Sequence, residues 1–195
     1  MASQDQLRGV FRSLIRDTEA AALIEFAIAL PLLVVLVVGI FDFGGAFNLK
    51  QELNNAAREG ANFGASEPTN DLYNSGTPPT IDAVRYLVDS YLVASRLNDC
   101  GLGTMPAPGN QSGPMTWTYS ATGCTPNLVL KIVRPCSTSS CPLITGPPNV
   151  YVPDTYVQIS YPYQWHFNNV IQLLVPGAQY TLSSITTDAT AANLN

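Results

Sequence analysis

Apolar and polar positions alternate with the period of a helix over the first half of the chain and with that of a strand over the second. Residues 20–41 carry one ionisable side chain, Glu25, and residues 26–41 carry none. About 20 such residues, rising about 1.5 Å each, span the roughly 30 Å hydrocarbon core of a bilayer. The helical pattern continues beyond the apolar run. Leu49, Leu53, Ala56, Gly60 and Phe63 recur at i+3 and i+4 spacing, with Glu52, Arg58 and Glu59 on other faces. No proline falls between Pro31 and Pro68. The pattern predicts one helix over residues 20–65, half in lipid and half outside, whose outer half must bury its apolar face on something.

Residues 69–80 are rich in Asn, Asp, Gly and Pro and read as a loop. A second helix follows, with Ile81, Val84, Val88, Tyr91 and Leu92 as its apolar stripe and Asp82, Arg85, Asp89 and Arg96 opposite; it is expected to end near Asn98, before Gly101, Gly103, Pro106 and Pro108. Residues 115–121, 128–134, 155–163 and 180–187 are rich in β-branched and aromatic residues and bounded by turn formers, which predicts four strands. The periodicity leaves the apolar segment 167–175 unassigned between helix and strand. Two helices followed by antiparallel strands make the expected class α+β.

A cleaved secretory signal has a shorter apolar core, about 7–15 residues. Gly44-Gly45-Ala46 would serve as its cleavage site, but Glu25 inside the core and Asp42 just before the site favour an uncleaved span. The expected division is a cytoplasmic leader over residues 1–20, a transmembrane helix over 21–44, and an extracytoplasmic domain over 45–195 that includes the outer half of the helix. Arg8, Arg12 and Arg16 precede the span, against Lys50 and Arg58 after it, a bias toward a cytoplasmic N-terminus. All four cysteines follow the span, as suits an oxidising compartment. Four cysteines admit three pairings; Cys136 with Cys141 and Cys100 with Cys124 is favoured.

From Ala21 onward six basic residues face eleven acidic ones, which weighs against nucleic acid as a partner. A metal site is not expected, because Cys136 and Cys141 lack paired spacing and His166 is the single histidine. His166, Asp154 and Ser160 form no recognisable triad, no GxSxG occurs, Gly101-Leu102-Gly103 is too short to cradle phosphate, and no D-x-D-x-D run offers calcium a loop. Neither an enzyme nor a cofactor is expected.

Three blocks carry a family resemblance. Residues 20–31, Ala-Ala-Ala-Leu-Ile-Glu-Phe-Ala-Ile-Ala-Leu-Pro, are followed by Gly39-Ile40-Phe41-Asp42-Phe43-Gly44 and by Ala57-Arg58-Glu59-Gly60-Ala61. Together they resemble the TadE-like pseudopilins of the Tad (Flp) pilus machinery. The similarity is specific over residues 20–65 and general beyond, where the strand order and Tyr161-Pro162-Tyr163 fit loosely.

The resemblance implies a small pilin-like domain on the helix. It also implies processing by a prepilin peptidase between Ala20 and Ala21, with Ala20 standing where the family more often has glycine. The processed subunit would carry Glu25 as its fifth residue, pairing with a neighbouring subunit's N-terminal amine, while Phe26 and Pro31 share the assembly surface. From the residues alone, a carboxylate inside a lipid-spanning helix is costly and marks function, and Pro31 removes a backbone hydrogen bond and should kink or open the helix. Ala56, Gly60 and Gly64 place small residues on one face, expected to pack on the chain's own domain.

The implied function is that of a pseudopilin or minor pilin in Tad pilus biogenesis, adhesion and secretion. Its partners would be other pilin subunits, the prepilin peptidase, the inner-membrane platform and the bilayer. It would reside as a single-pass protein of the bacterial inner membrane with the domain periplasmic, pilus-associated after assembly. The alternative is a permanently anchored periplasmic binding or scaffold domain.

Overall fold

The computed structural model describes residues 18–72, 76–108, 115–136, 145–146, 150–151, 153–165, 172, 177 and 184–193. Helix α1, Thr18–Ser66, is one uninterrupted element of 49 residues. Its end is written in the sequence: the Glu67 N–H closes a last turn on the Gly64 carbonyl (3.3 Å). Pro68 then disfavours helical backbone at the residue before it. Two compact units divide the chain, Met1–Gly44 with His166–Tyr180, and Gly45–Trp165 with Thr181–Asn195.

In the second unit helix α2, Pro79–Ala94, starts with proline at the position where a missing N–H costs least, and with Asp82 in its first turn. It stops before Asn98, where the sequence places its end. The Arg96 N–H bonds the Val93 carbonyl and the Leu97 N–H bonds the Leu92 carbonyl. Those two bonds form a Schellman cap, and Arg96 takes its left-handed position (φ 59°) in place of the usual glycine. A short 3-10 turn, Leu102–Thr104, follows.

Among the described residues, six strands follow: β1 Thr116–Ala121, β2 Leu128–Cys136, β3 Thr145–Gly146, β4 Val150–Tyr151, β5 Asp154–Pro162 and β6 Ser184–Ala192. The main sheet is wholly antiparallel in the order β1-β2-β5-β6, with β3 and β4 pairing separately. The class is therefore α+β, with a long N-terminal apolar helix, a second helix and a four-stranded sheet. The last strand extends to Ala192 rather than ending near Thr187. Its terminal stretch is Thr and Ala, whose small side chains give little hydrophobic signal, yet Ala189 and Ala191 pack on the core. Residues 166–171, 173–176 and 178–183 lie outside the described residues, and with them all of segment 167–175 except residue 172.

Register makes one face of the sheet the core. Trp117, Ile132, Val157 and Ala189 form one cross-strand row, and Tyr119, Leu130, Ile159 and Thr187 the next. Onto them pack Leu53, Ala56, Ala57 and Ala61 of α1 and Ile81, Val84, Val88 and Leu92 of α2, all buried. The small residues of α1 let the backbones approach. A Cβ on Gly60 would lie 3.0 Å from Val88 Cγ2, and one on Gly64 would lie 2.7 Å from Thr155 Cγ2 and 3.3 Å from Val84 Cγ2.

Arg85, which helical periodicity places on the polar face of α2, is instead buried. Its guanidinium donates to Asp82 Oδ1 (2.8 Å) and to the carbonyls of Leu102 (2.7 Å) and Gly103 (2.9 Å), tying α2 to the 3-10 turn. It also lies over the rings of Tyr86 (3.9 Å) and Tyr119 (5.5 Å). Arg134 on β2 is buried as well and donates to the Glu67 carbonyl beyond α1. Burial pushes its pKa down, while the charges of Asp71 and Glu67 oppose that shift.

Cys100 and Cys124 form a disulfide, Cα–Cα 5.2 Å, closing a separation of 24 residues. Beside it the Gly123 N–H donates to the Cys100 carbonyl (2.9 Å). A Cβ on Gly123 would stand 2.5 Å from that oxygen, so the close approach requires glycine. The pairing of Cys136 with Cys141 lies outside the described residues.

Three outcomes follow for thermal unfolding of the full chain in detergent. Gly64→Val overfills the helix–sheet contact and should cost about 2 kcal/mol, lowering the domain Tm by about 4–8 °C. Gly44→Ala, whose Cβ meets nothing within 4 Å, should leave that Tm unchanged. Replacing Cys100 and Cys124 together by alanine should cost about 3 kcal/mol, or about 6–12 °C.

Candidate assembly helix

Over its first half α1 is apolar on every side and exposed on nearly every side. Leu23, Ile24, Phe26, Ile28, Leu32, Leu33 and Leu36 are all exposed, and the most apolar 18-residue window has 0% of its residues buried. A helix hydrophobic all round belongs in a protein core or in lipid. No residue of that window is buried in protein, so lipid is the solvent that fits. Among the described residues one helix, near the N-terminus, is thus long and apolar enough to cross a membrane.

Glu25 sits in this surface, exposed, with Ala21 one turn before it and Phe26 exposed beside it. Ala20 and Ala21 lie just inside the start of the helix, so the Ala20–Ala21 bond is in its first turn. Pro31 is exposed, and the helical assignment runs through it unbroken. Its missing N–H leaves the Ala27 carbonyl without the i+4 partner.

The outer half is apolar on one face only. Ala56, Gly60 and Gly64 turn toward α2 and β5 within the domain. Glu52 accepts hydrogen bonds from Tyr91 (3.4 Å) and Ser95 (3.3 Å), and Asn54 accepts one from Thr187 (3.5 Å). In the block Ala57-Arg58-Glu59-Gly60-Ala61 the small residues are buried and Arg58 and Glu59 exposed. The periodicity that sets Gly60 on the apolar face and Arg58 and Glu59 on others is thus seen in the fold, with Ala57 and Ala61 joining Gly60 in the packing and Arg58 and Glu59 forming an exposed charged pair.

Among the described residues no group of three or more His, Cys, Asp or Glu could hold a metal ion. The side chain of His166 lies outside the described residues. Asp154 and Thr155 are buried at the start of β5, and Ser160 hydrogen-bonds Thr186 (3.1 Å) across to β6. Burial pushes the Asp89 carboxyl above the ordinary carboxylate range, the neighbouring Asp99 adds to the shift, and the Gly103 N–H opposes it.

The architecture is consistent with a single-pass membrane protein: a helix long and apolar enough to span a membrane has its outer half built into the core of a folded domain. Residues 20–62 match the family model described as TadE-like protein, covering the apolar span, Glu25, Pro31 and the Arg58-Glu59 block. A TadE-like segment points to involvement in Tad pilus assembly and to association with pilus components. No curated protein and no solved structure matches the chain.

If the first half of α1 lies in lipid, Leu33→Asp with Leu36→Asp should cost about 6 kcal/mol of insertion free energy. The doubly substituted chain should leave the carbonate-resistant membrane fraction, whereas Arg58→Glu, on the exposed outer half, should stay in it.

Proposed function

We propose that the protein is a pseudopilin or minor pilin subunit of the Tad (Flp) pilus, acting by assembly and not by catalysis. The observation that carries this reading is the combination in α1 of an apolar surface exposed on nearly every side, a carboxylate one turn from a small-residue pair, and an outer half built into a folded domain. A tether needs only the first of these.

In this reading the leader of residues 1–20 is cytoplasmic and the domain periplasmic. The prepilin peptidase cuts between Ala20 and Ala21, and the scissile bond is reached by fraying of the first helical turn. The new amine on Ala21 and the carboxylate of Glu25 are then separated by one turn. A neighbouring subunit's amine reaching Glu25 neutralises a charge that lipid penalises. Phe26 and Pro31 border that contact, and loss of the position-31 N–H lets the helix yield there when the inner-membrane platform draws it from the bilayer. Arg58 and Glu59, exposed beyond the span, supply opposite charges to the subunits stacked alongside. Adhesion and secretion would follow from the pilus so built.

Intact-mass measurement of the cellular protein should show loss of residues 1–20. A mass equal to the whole chain, in cells with an active prepilin peptidase, would exclude processing and favour a permanent anchor; loss of residues 1–46 would mean ordinary signal cleavage. Glu25→Ala should abolish piliation while the domain keeps its circular dichroism and Tm. Normal piliation in that variant would remove Glu25 from the mechanism.

A further inference from the structure

The main sheet ends in two open edges. Among the described residues β6 pairs with β5 alone, and β1 with β2 alone. The Asn193 N–H donates to the Pro153 carbonyl (2.8 Å), one pair beyond the β5–β6 register. Alternation from that bond turns the backbone groups of Ile185, Thr187, Ala189 and Ala191 toward β5, and those of Thr186, Asp188 and Thr190 outward. At the other edge the Arg134 N–H donates to the Met115 carbonyl (3.0 Å), one pair beyond the β1–β2 register. The same alternation turns the backbone groups of Thr118 and Ser120 outward.

An open edge is a template for another strand, and folded proteins ordinarily blunt it with lysine, proline or a bulge. Neither edge is blunted here. β1 and β6 contain no lysine and no proline, and each runs through its pairing without the register shift that β2 shows against β5. Asp188 is the single charge on the two strands. The edges also match in direction. In a wholly antiparallel sheet of four strands the first and the last run opposite ways. Copies anchored by the same helix point the same way across a bilayer. A neighbour set beside this one by translation therefore presents its β1 antiparallel to β6.

We infer that β6 of one copy pairs with β1 of the next, so that their sheets become one across the subunit boundary. The inference rests on the reading of the chain as an assembling, membrane-held subunit. Setting Asp188 opposite the next copy's Thr118, and Thr186 opposite its Ser120, brings outward-facing backbone to outward-facing backbone at both positions. That register continues the row Thr118, Lys131, Gln158 and Asp188, which already crosses the sheet. Asp188 then stands two strands, about 10 Å, from the next copy's Lys131 on the same face, opposite in charge. On the core face Thr187 and Ala189 come beside the next copy's Tyr119 and Trp117, small side chains against large ones. The contact joins unlike surfaces, so it repeats from copy to copy and builds an open array, as a filament requires.

Full chains labelled with light or heavy nitrogen, mixed and reconstituted in phosphatidylcholine vesicles, test this. One isotope carries photoreactive p-benzoylphenylalanine in place of Thr186, an exposed side chain at the edge. Irradiation should give a dimer in which position 186 is joined to residues 117–121 of the other isotope. Asp188→Pro removes an N–H that β5 does not use, and Ser120→Lys places a charge on the opposing edge. Either, introduced in both isotopes, should lower the dimer yield about tenfold with circular dichroism unchanged; the second serves if the first fails to fold. No dimer from vesicles that float with both isotopes, a dimer joined through β6 or α1 of the other copy, or a yield indifferent to both variants overturns the pairing. A chain that does not float overturns the common orientation on which the pairing is built. Piliation in cells separates this from the assembly reading. Loss of pili in Glu25→Ala with no dimer in vesicles overturns the pairing and leaves that reading standing. Normal pili in Glu25→Ala with the dimer formed overturns that reading and leaves the pairing as a contact of membrane-held copies.

Discussion

A single unbroken helix has to satisfy two solvents. Backbone N–H and C=O groups cannot enter hydrocarbon unpaired, and a helix pairs them within itself. The same helix that can cross a bilayer must then meet water and a folded domain without interruption. The chain solves this through its side chains alone. Apart from Glu25, residues 21–41 are apolar around the whole circumference; beyond Phe47 the apolar positions narrow to one face, occupied by Leu53, Ala56, Ala57 and Ala61. The rest of the domain is built around that face.

Glycine sets how closely it can be built. With Gly60 and Gly64 the helix backbone comes within reach of Val88, Val84 and Thr155, so α2 and β5 both contact α1 directly. Glycine in a helix interior costs about 1 kcal/mol relative to alanine, and the approach it permits is the compensating term. The remaining side of the domain is held by directional contacts. Arg85 fixes the 3-10 turn through two carbonyls, the Cys100–Cys124 disulfide joins the segment just before that turn to the β1–β2 connection, and Tyr161 donates to the Asn98 carbonyl (2.9 Å).

How far these features can be read from the sequence depends on whether their cause is local. The run of α1 is legible because its signals are contrasts along the chain: a gap in charge, a proline-free interval, and Pro68 at the end. Glu25 is legible for the same reason, as a carboxylate among apolar residues. The C-terminus of α2 is not, because Arg96 fills a position that sequence rules reserve for glycine. The end of β6 hides in Thr and Ala, whose burial depends on the strand beside them. Arg85 looks like a surface residue until the carbonyls 17 and 18 residues away are placed. The proximity of Tyr163 to Gly45 is a property of the whole domain, with more than a hundred residues between the two. Local spacing cannot report it.

The burial of Leu53, Ala56, Ala57 and Ala61 means that anchor and domain do not divide at the end of the helix. The division falls inside it, near Gly44 and Gly45, where the two compact units meet in the sequence. A soluble fragment beginning after Ser66 would expose the apolar sides of α2 and the sheet that α1 covers. One beginning near Gly45 keeps the element on which they fold. The water-facing protein therefore starts in mid-helix, and the smallest autonomous piece of this chain is defined by a solvent boundary and not by a secondary-structure boundary.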